Sequence, residues 1–179
     1  MKNIVFSIAF VLVSSISYSQ LITGTGTSPL GLVQNVLLGP GVTVSNILYN
    51  GNPAAIGSFQ ATGTNLGIDE GIVMTTGTVI AGEDGPHGPN DNGASGLDNG
   101  YGGSALLSSI ISGGTTLNAS ILEFDFIPYS DTVSFKYVFG SEEYPEWVSA
   151  GFNDVFGFFI TGPGTVSYTH LRAHETLQH

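Results

Sequence analysis

The stretch that most limits what this chain can become is ILEFDFIPYSDTVSFKYVF, residues 121–139. Leu122, Phe124 and Phe126 alternate with Glu123 and Asp125. Beyond PYSD, Val133, Phe135, Tyr137 and Phe139 alternate with Thr132, Ser134 and Lys136. A period of two puts the rings of each run on one face of a strand, and the turn residues between the runs predict an antiparallel hairpin with one buried face. With a loop over 128–131, Ile127 faces Thr132 and Glu123 faces Lys136. Such an exposed cross-strand ion pair contributes about 0.2–1 kcal/mol, so it sets register more than stability. A slip of one residue would turn the aromatic face to water.

The remaining segments carry the same β bias. VTVSNILY (42–49) is rich in β-branched residues and ends in the turn signal NGNP. AIGSFQA and GIVMTTGTVI read as further strands, and DVFGFFITG (154–162), apolar on both faces, suits a central one. Two short helices are expected. PLGLVQNVLL (29–38) places Leu32, Val33, Val36 and Leu37 at helical spacing before Gly39, Pro40 and Gly41 stop it, and ALLSSIIS (105–112) is the second. Between them, residues 81–104 have almost no apolar content and read as a long loop, of a length that is commonly functional. Strands joined by Gly- and Asn-rich turns, with little helix, predict an all-β antiparallel sandwich of jelly-roll type. Its second sheet lacks strands to close it, so the C-terminal part of the domain is expected to be missing.

The N-terminus, MKNIVFSIAFVLVSSISYSQ, has the form of an export signal. Lys2 is the positive end, Ile4 to Val13 form the apolar stretch, and Ser17 and Ser19 are the small residues before cleavage at Gln20. Residues 1–19 are therefore expected to be removed and the rest exported, with no later segment apolar enough to span a membrane. There is no cysteine among the 179 residues, which excludes disulfides, thiolate catalysis and a lipid-anchored cysteine. The formal charge of −11 argues against nucleic acid as a partner, because neutralising phosphates needs Lys and Arg.

Two acidic clusters are candidate binding groups. In the long loop, Glu83, Asp84, Asp91, Asn92, Asp98 and Asn99 lie among glycines, with Asp-Asn-Gly repeated seven residues apart. Past the aromatic hairpin, GSEEYPEW with Asn153 and Asp154 gathers Glu142, Glu143, Glu146 and Asp154. Calcium takes six to eight oxygen ligands from carboxylates, amides and carbonyls on turning chain, so Asp91, Asp98, Glu142, Glu143 and Asp154 are the expected calcium ligands. The spacing is not that of the helix-flanked calcium loop. Solvated, splayed side chains are the plainer reading of both clusters. Tyr144 and Trp147 offer a sugar-stacking platform, although aromatics beside a β-core more often pack. A carboxylate glycosidase would pair Glu143 with Asp154 across a sugar, but no feature sets their separation or raises either pKa. Serine-triad chemistry would depend on His87 in the loop, and no nucleophile elbow is present. The chain is expected not to be an enzyme.

Several stretches together resemble the choice-of-anchor L domain family: LVQNVLLGPGVTVSNILYNGNPAAIGSF, TNLGIDEGIVMTTG, FDFIPYSDTVSFKYVFGSEEYPEWV and NDVFGFFITGPG. The resemblance covers about residues 30–164. It implies a secreted or cell-surface β module of a kind found largely in Bacteroidota, joined to varied C-terminal anchoring regions. The implied role is adhesion or surface assembly without defined catalytic residues, and the implied partner is a surface glycan or another surface protein. The anchor itself would lie in the missing C-terminal region.

The end of the chain, VSYTHLRAHETLQH, departs from that pattern. It holds three of the four histidines and the only arginine. Back-translated, Val166–Thr176 can be written in one frame as the transposase end and adapter of a common sequencing-library method. Residues 166–179 are therefore expected to be non-native, with 20–165 as a partial domain. His170 and His174, four apart, lack the third ligand that a zinc site needs. Without the signal and the tail, Lys136 is the sole basic residue against 13 acidic ones.

Overall fold

The computed structural model describes residues 21–80, 98–111, 114–140 and 154–162, together with the backbone of 165–172. Residues 1–20 and most of the acidic clusters lie outside these residues.

The first helix, α1 (Pro29–Leu32), starts where its chemistry predicts. Ser28 stands at the N-cap and accepts a hydrogen bond from the Gly31 N–H at 3.2 Å, and Pro29 fills the first helical position. The helix widens into a π-turn over Val33–Leu37, closed by the Leu38 N–H on the Val33 carbonyl. Leu32 and Val33 are fully buried. They face a three-stranded antiparallel sheet ordered β1 (Ile22–Gly24), β3 (Ile56–Gln60), β4 (Glu70–Met74). Strand β1 was not apparent from the sequence. Strand β4 ends at Met74 because the next residues turn: Thr75 donates its N–H to the Ala55 carbonyl, and its hydroxyl accepts from the Gly77 N–H. Val79 then returns to the Ala54 carbonyl at 2.7 Å.

The buried core sits here. Leu32, Val33, Ala55, Ile56, Ala61 and Val79 are buried, with Thr78 the one buried polar residue among the described residues. Thr78 is satisfied locally, its hydroxyl accepting from the Ile80 N–H. Alanine and small aliphatics dominate this core, and no described phenylalanine or tyrosine is fully buried. Gly57 lies buried in the middle strand, paired with Val73.

The second sheet pairs β2 (Val42–Asn50) with β5 (Ile121–Pro128). Val42, Val44, Ile47 and Tyr49 are half-buried on one strand, as are Leu122, Phe124 and Phe126 on the other, while Thr43, Ser45, Glu123 and Asp125 are exposed. A bulge between Ser45 and Leu48 keeps the apolar set on its face. Asn46 takes the left-handed conformation there at φ 51°, which Asn tolerates better than most residues, and donates its amide to the Asp125 carboxylate at 2.6 Å. A third antiparallel pair joins β6 (Val155–Gly162) to β7 (Thr165–Arg172), in register from Gly162↔Thr165 to Val155↔Arg172.

The all-β antiparallel class is borne out, with α1 and its π-turn, a 3-10 turn at Pro53–Ala55 and α2 (Ala105–Ile110) as the helical additions. The expected hairpin is corrected. Strand β5 pairs with β2 and not with residues 132–139, so Glu123 stands opposite Leu48, and it forms no ion pair with Lys136. The alternation of 132–139 serves another contact. Phe135 stacks on Phe158 with ring centroids 4.1 Å apart, and Tyr137 stacks on Phe156 at 5.7 Å. The chain past PYSD thus lays its aromatic face on β6 rather than folding back on β5. The pairing with β2 is favoured by the match of two half-buried faces and by two contacts that extend it, Tyr129 N–H to the Gly41 carbonyl and the Thr43–Tyr129 hydroxyl pair. Strand β6, expected to be central, has a single ladder partner among the described residues, and Val155–Ile160 are half-buried throughout.

Candidate functional site

Asp98-Asn99-Gly100, the second of the two Asp-Asn-Gly repeats, folds as two overlapping Asx turns. The Asp98 carboxylate accepts the Gly100 N–H at 2.9 Å, and the Asn99 side-chain oxygen accepts the Tyr101 N–H at 3.0 Å. Gly100 takes φ +73°, which suits a residue without Cβ. The Asn99 amide then reaches across the fold, donating to the Thr76 carbonyl at 2.8 Å and, at longer range, to that of Gly77. Its own carbonyl accepts from the Asn52 amide at 3.1 Å, while the Asn52 side-chain oxygen caps the Pro53–Ala55 turn through the Ala54 N–H.

Residues 101–104 continue the tie. The Tyr101 and Gly102 carbonyls accept from the Asn118 and Ala119 N–H groups, just before β5 begins. Ser104 caps α2 by accepting the Leu107 N–H, and its backbone exchanges hydrogen bonds with the Thr116 hydroxyl. Next to this lies a smaller polar group. The Tyr49 hydroxyl donates to the Asn52 carbonyl at 2.8 Å and meets the Ser120 hydroxyl at 3.0 Å, and Ser120 reaches the Ala55 carbonyl. Burial pushes the Tyr49 phenol above its ordinary pKa, although the Ser120 hydrogen bond opposes this. The phenol therefore stays protonated at neutral pH and serves as a donor.

These bonds join the strap 99–102 to both sheets, through the ends of β3 and β4 on one side and of β5 on the other. Asn99 is its centre. Replacing it with Ala removes the Tyr101 acceptor and leaves the Thr76 carbonyl without its donor. The expected cost is about 2 kcal/mol, at roughly 1 kcal/mol for each bond lost. Asn99→Asp is expected to do at least as badly, because a carboxylate would face a carbonyl oxygen. Urea denaturation of both variants checks this; an unchanged midpoint for Asn99→Ala would mean the strap contributes nothing.

Of the expected calcium ligands, Asp91, Glu142 and Glu143 lie outside the described residues. So do Tyr144, Trp147 and His87. Asp98 is exposed and immediately precedes the strap; Asp154 is half-buried immediately before β6. Among the described residues, no three His, Asp or Glu side chains converge as a metal ion requires. The sequence reading missed Tyr49, Asn52 and Ser120 as a bonded group. Only Asn52, standing before Pro53 as a capping residue does, carried a visible signal.

What the described residues define is an antiparallel β module in which Tyr49, Asn52, Asn99 and Ser120 tie loops to sheets. The chain belongs to the choice-of-anchor L domain family, whose model matches residues 20–173. That match includes all of β7. It makes the chain a surface-associated module of extracellular or cell-surface type, and no helix among the described residues is long and apolar enough to cross a membrane. No curated protein and no solved structure matches it.

Proposed function

We propose that this is a secreted cell-surface β-sandwich module that acts by binding, in adhesion or surface assembly, without catalysis and with calcium as a stabilising ion. The observation that carries the reading is family membership over residues 20–173. The export-type N-terminus and the 13 acidic residues set against Lys136 support it from the sequence. Asp91, Asp98, Glu142, Glu143 and Asp154 are the groups that would supply oxygen to calcium. A surface glycan or a second surface protein is the partner in this reading.

The test is the melting temperature of the exported full chain in millimolar calcium and in chelator. An ion present at a hundred times its dissociation constant adds about 2.7 kcal/mol. For a domain of this size that is roughly 5–10 °C. The rise is expected to disappear in the Glu142→Gln, Glu143→Gln double variant and to shrink in Asp98→Asn, which keeps the acceptor for Gly100 but not the charge. Identical melting in calcium and chelator removes calcium from the proposal. Glycan hydrolysis that is lost in Glu143→Gln would replace a binding module with a glycosidase.

We also propose that residues 166–179 are adapter-derived and that 20–165 is the native portion of the domain. The reading rests on the codon fit of Val166–Thr176. A ladder to β6 asks only for backbone N–H and C=O groups, which any strand-tolerant sequence supplies. Genomic DNA amplified across the codons after Gly164, and sequenced without transposase adapters, is expected not to encode VSYTHLRAHETLQH. A genome that encodes VSYTHLRAHETLQH overturns this and returns His170 and His174 as candidate ligands.

A further inference from the structure

We draw no further inference here: the strongest candidate, the half-exposed aromatic face where Phe135 and Tyr137 stack on Phe158 and Phe156 of β6, is an apolar surface, and nothing in the structure shows what covers it.

Discussion

Residues 20–164 expressed alone will aggregate or melt without a cooperative transition. Phe135 and Tyr137 are 47% and 46% exposed although each is stacked on a ring of β6, and Val133 and Val138 beside them are about half exposed as well. Rings left in this state gain little from burial, since the favourable term scales with apolar area removed from water. The shortened chain also loses β7, the only ladder partner of β6 among the described residues. Among the described residues this leaves the apolar eight-residue β6 without a ladder partner, and an unpaired strand is a template for pairing with other chains. The buried core around α1 and β3 is too small to hold this region by itself. Size-exclusion chromatography with a thermal melt followed by circular dichroism checks the expectation. A monomer with a sharp two-state transition would show that the small core suffices.

The second large effect is expected at Gly57. A Cβ there would run into the Gly24 carbonyl of the neighbouring strand and come within 3.0 Å of a Val79 methyl. Neither can give way cheaply. Gly24 pairs opposite Ser58 in the β1–β3 ladder, and Val79 is fully buried with its carbonyl accepting from the Thr23 hydroxyl. Gly57→Ala should therefore expel β1 and open the core, at about 3 kcal/mol, the upper end of overpacking costs. Gly39→Ala is the control, because open space surrounds its missing Cβ. Loss of amide protection in β1 and at Val79 for Gly57→Ala alone is the expected outcome. Equal stability of the two variants would mean the strands separate without penalty.

Much of the element inventory could be read from the chain. Helix α1 announced itself through Pro29 and the apolar spacing that follows; β2, β3, β5 and β6 did so through alternation or β-branched content. Partnership was much less legible. A period of two says which side chains share a face, but not which strand lies alongside. Ile121–Pro128 had two candidate partners with matching faces, and proximity in sequence favoured 132–139 where the fold uses β2. The same limit applied to the site. Asp98 and Asn99 stood out as oxygen-bearing residues in a Gly-rich stretch, and their local Asx turns follow from that chemistry. The reach of Asn99 to Thr76 and of Asn52 to Asn99 depends on how distant loops are juxtaposed, which no local pattern encodes. Strand β1, three residues long, is too short to carry a period at all.

The β2–β5 ladder also sets when this protein can fold. The side-chain contacts that accompany it link Asn46 to Asp125 and Thr43 to Tyr129, positions 79 and 86 residues apart. Closing loops of that length is entropically costly before any contact repays it, so topologies of this kind fold on the slow side, in milliseconds to seconds. The elements of the first sheet and α1 all lie within residues 22–74, so their pairings close much shorter loops. Among the described residues β2 pairs only with β5, so during synthesis the seventy residues 51–120 must follow β2 before that partner strand begins.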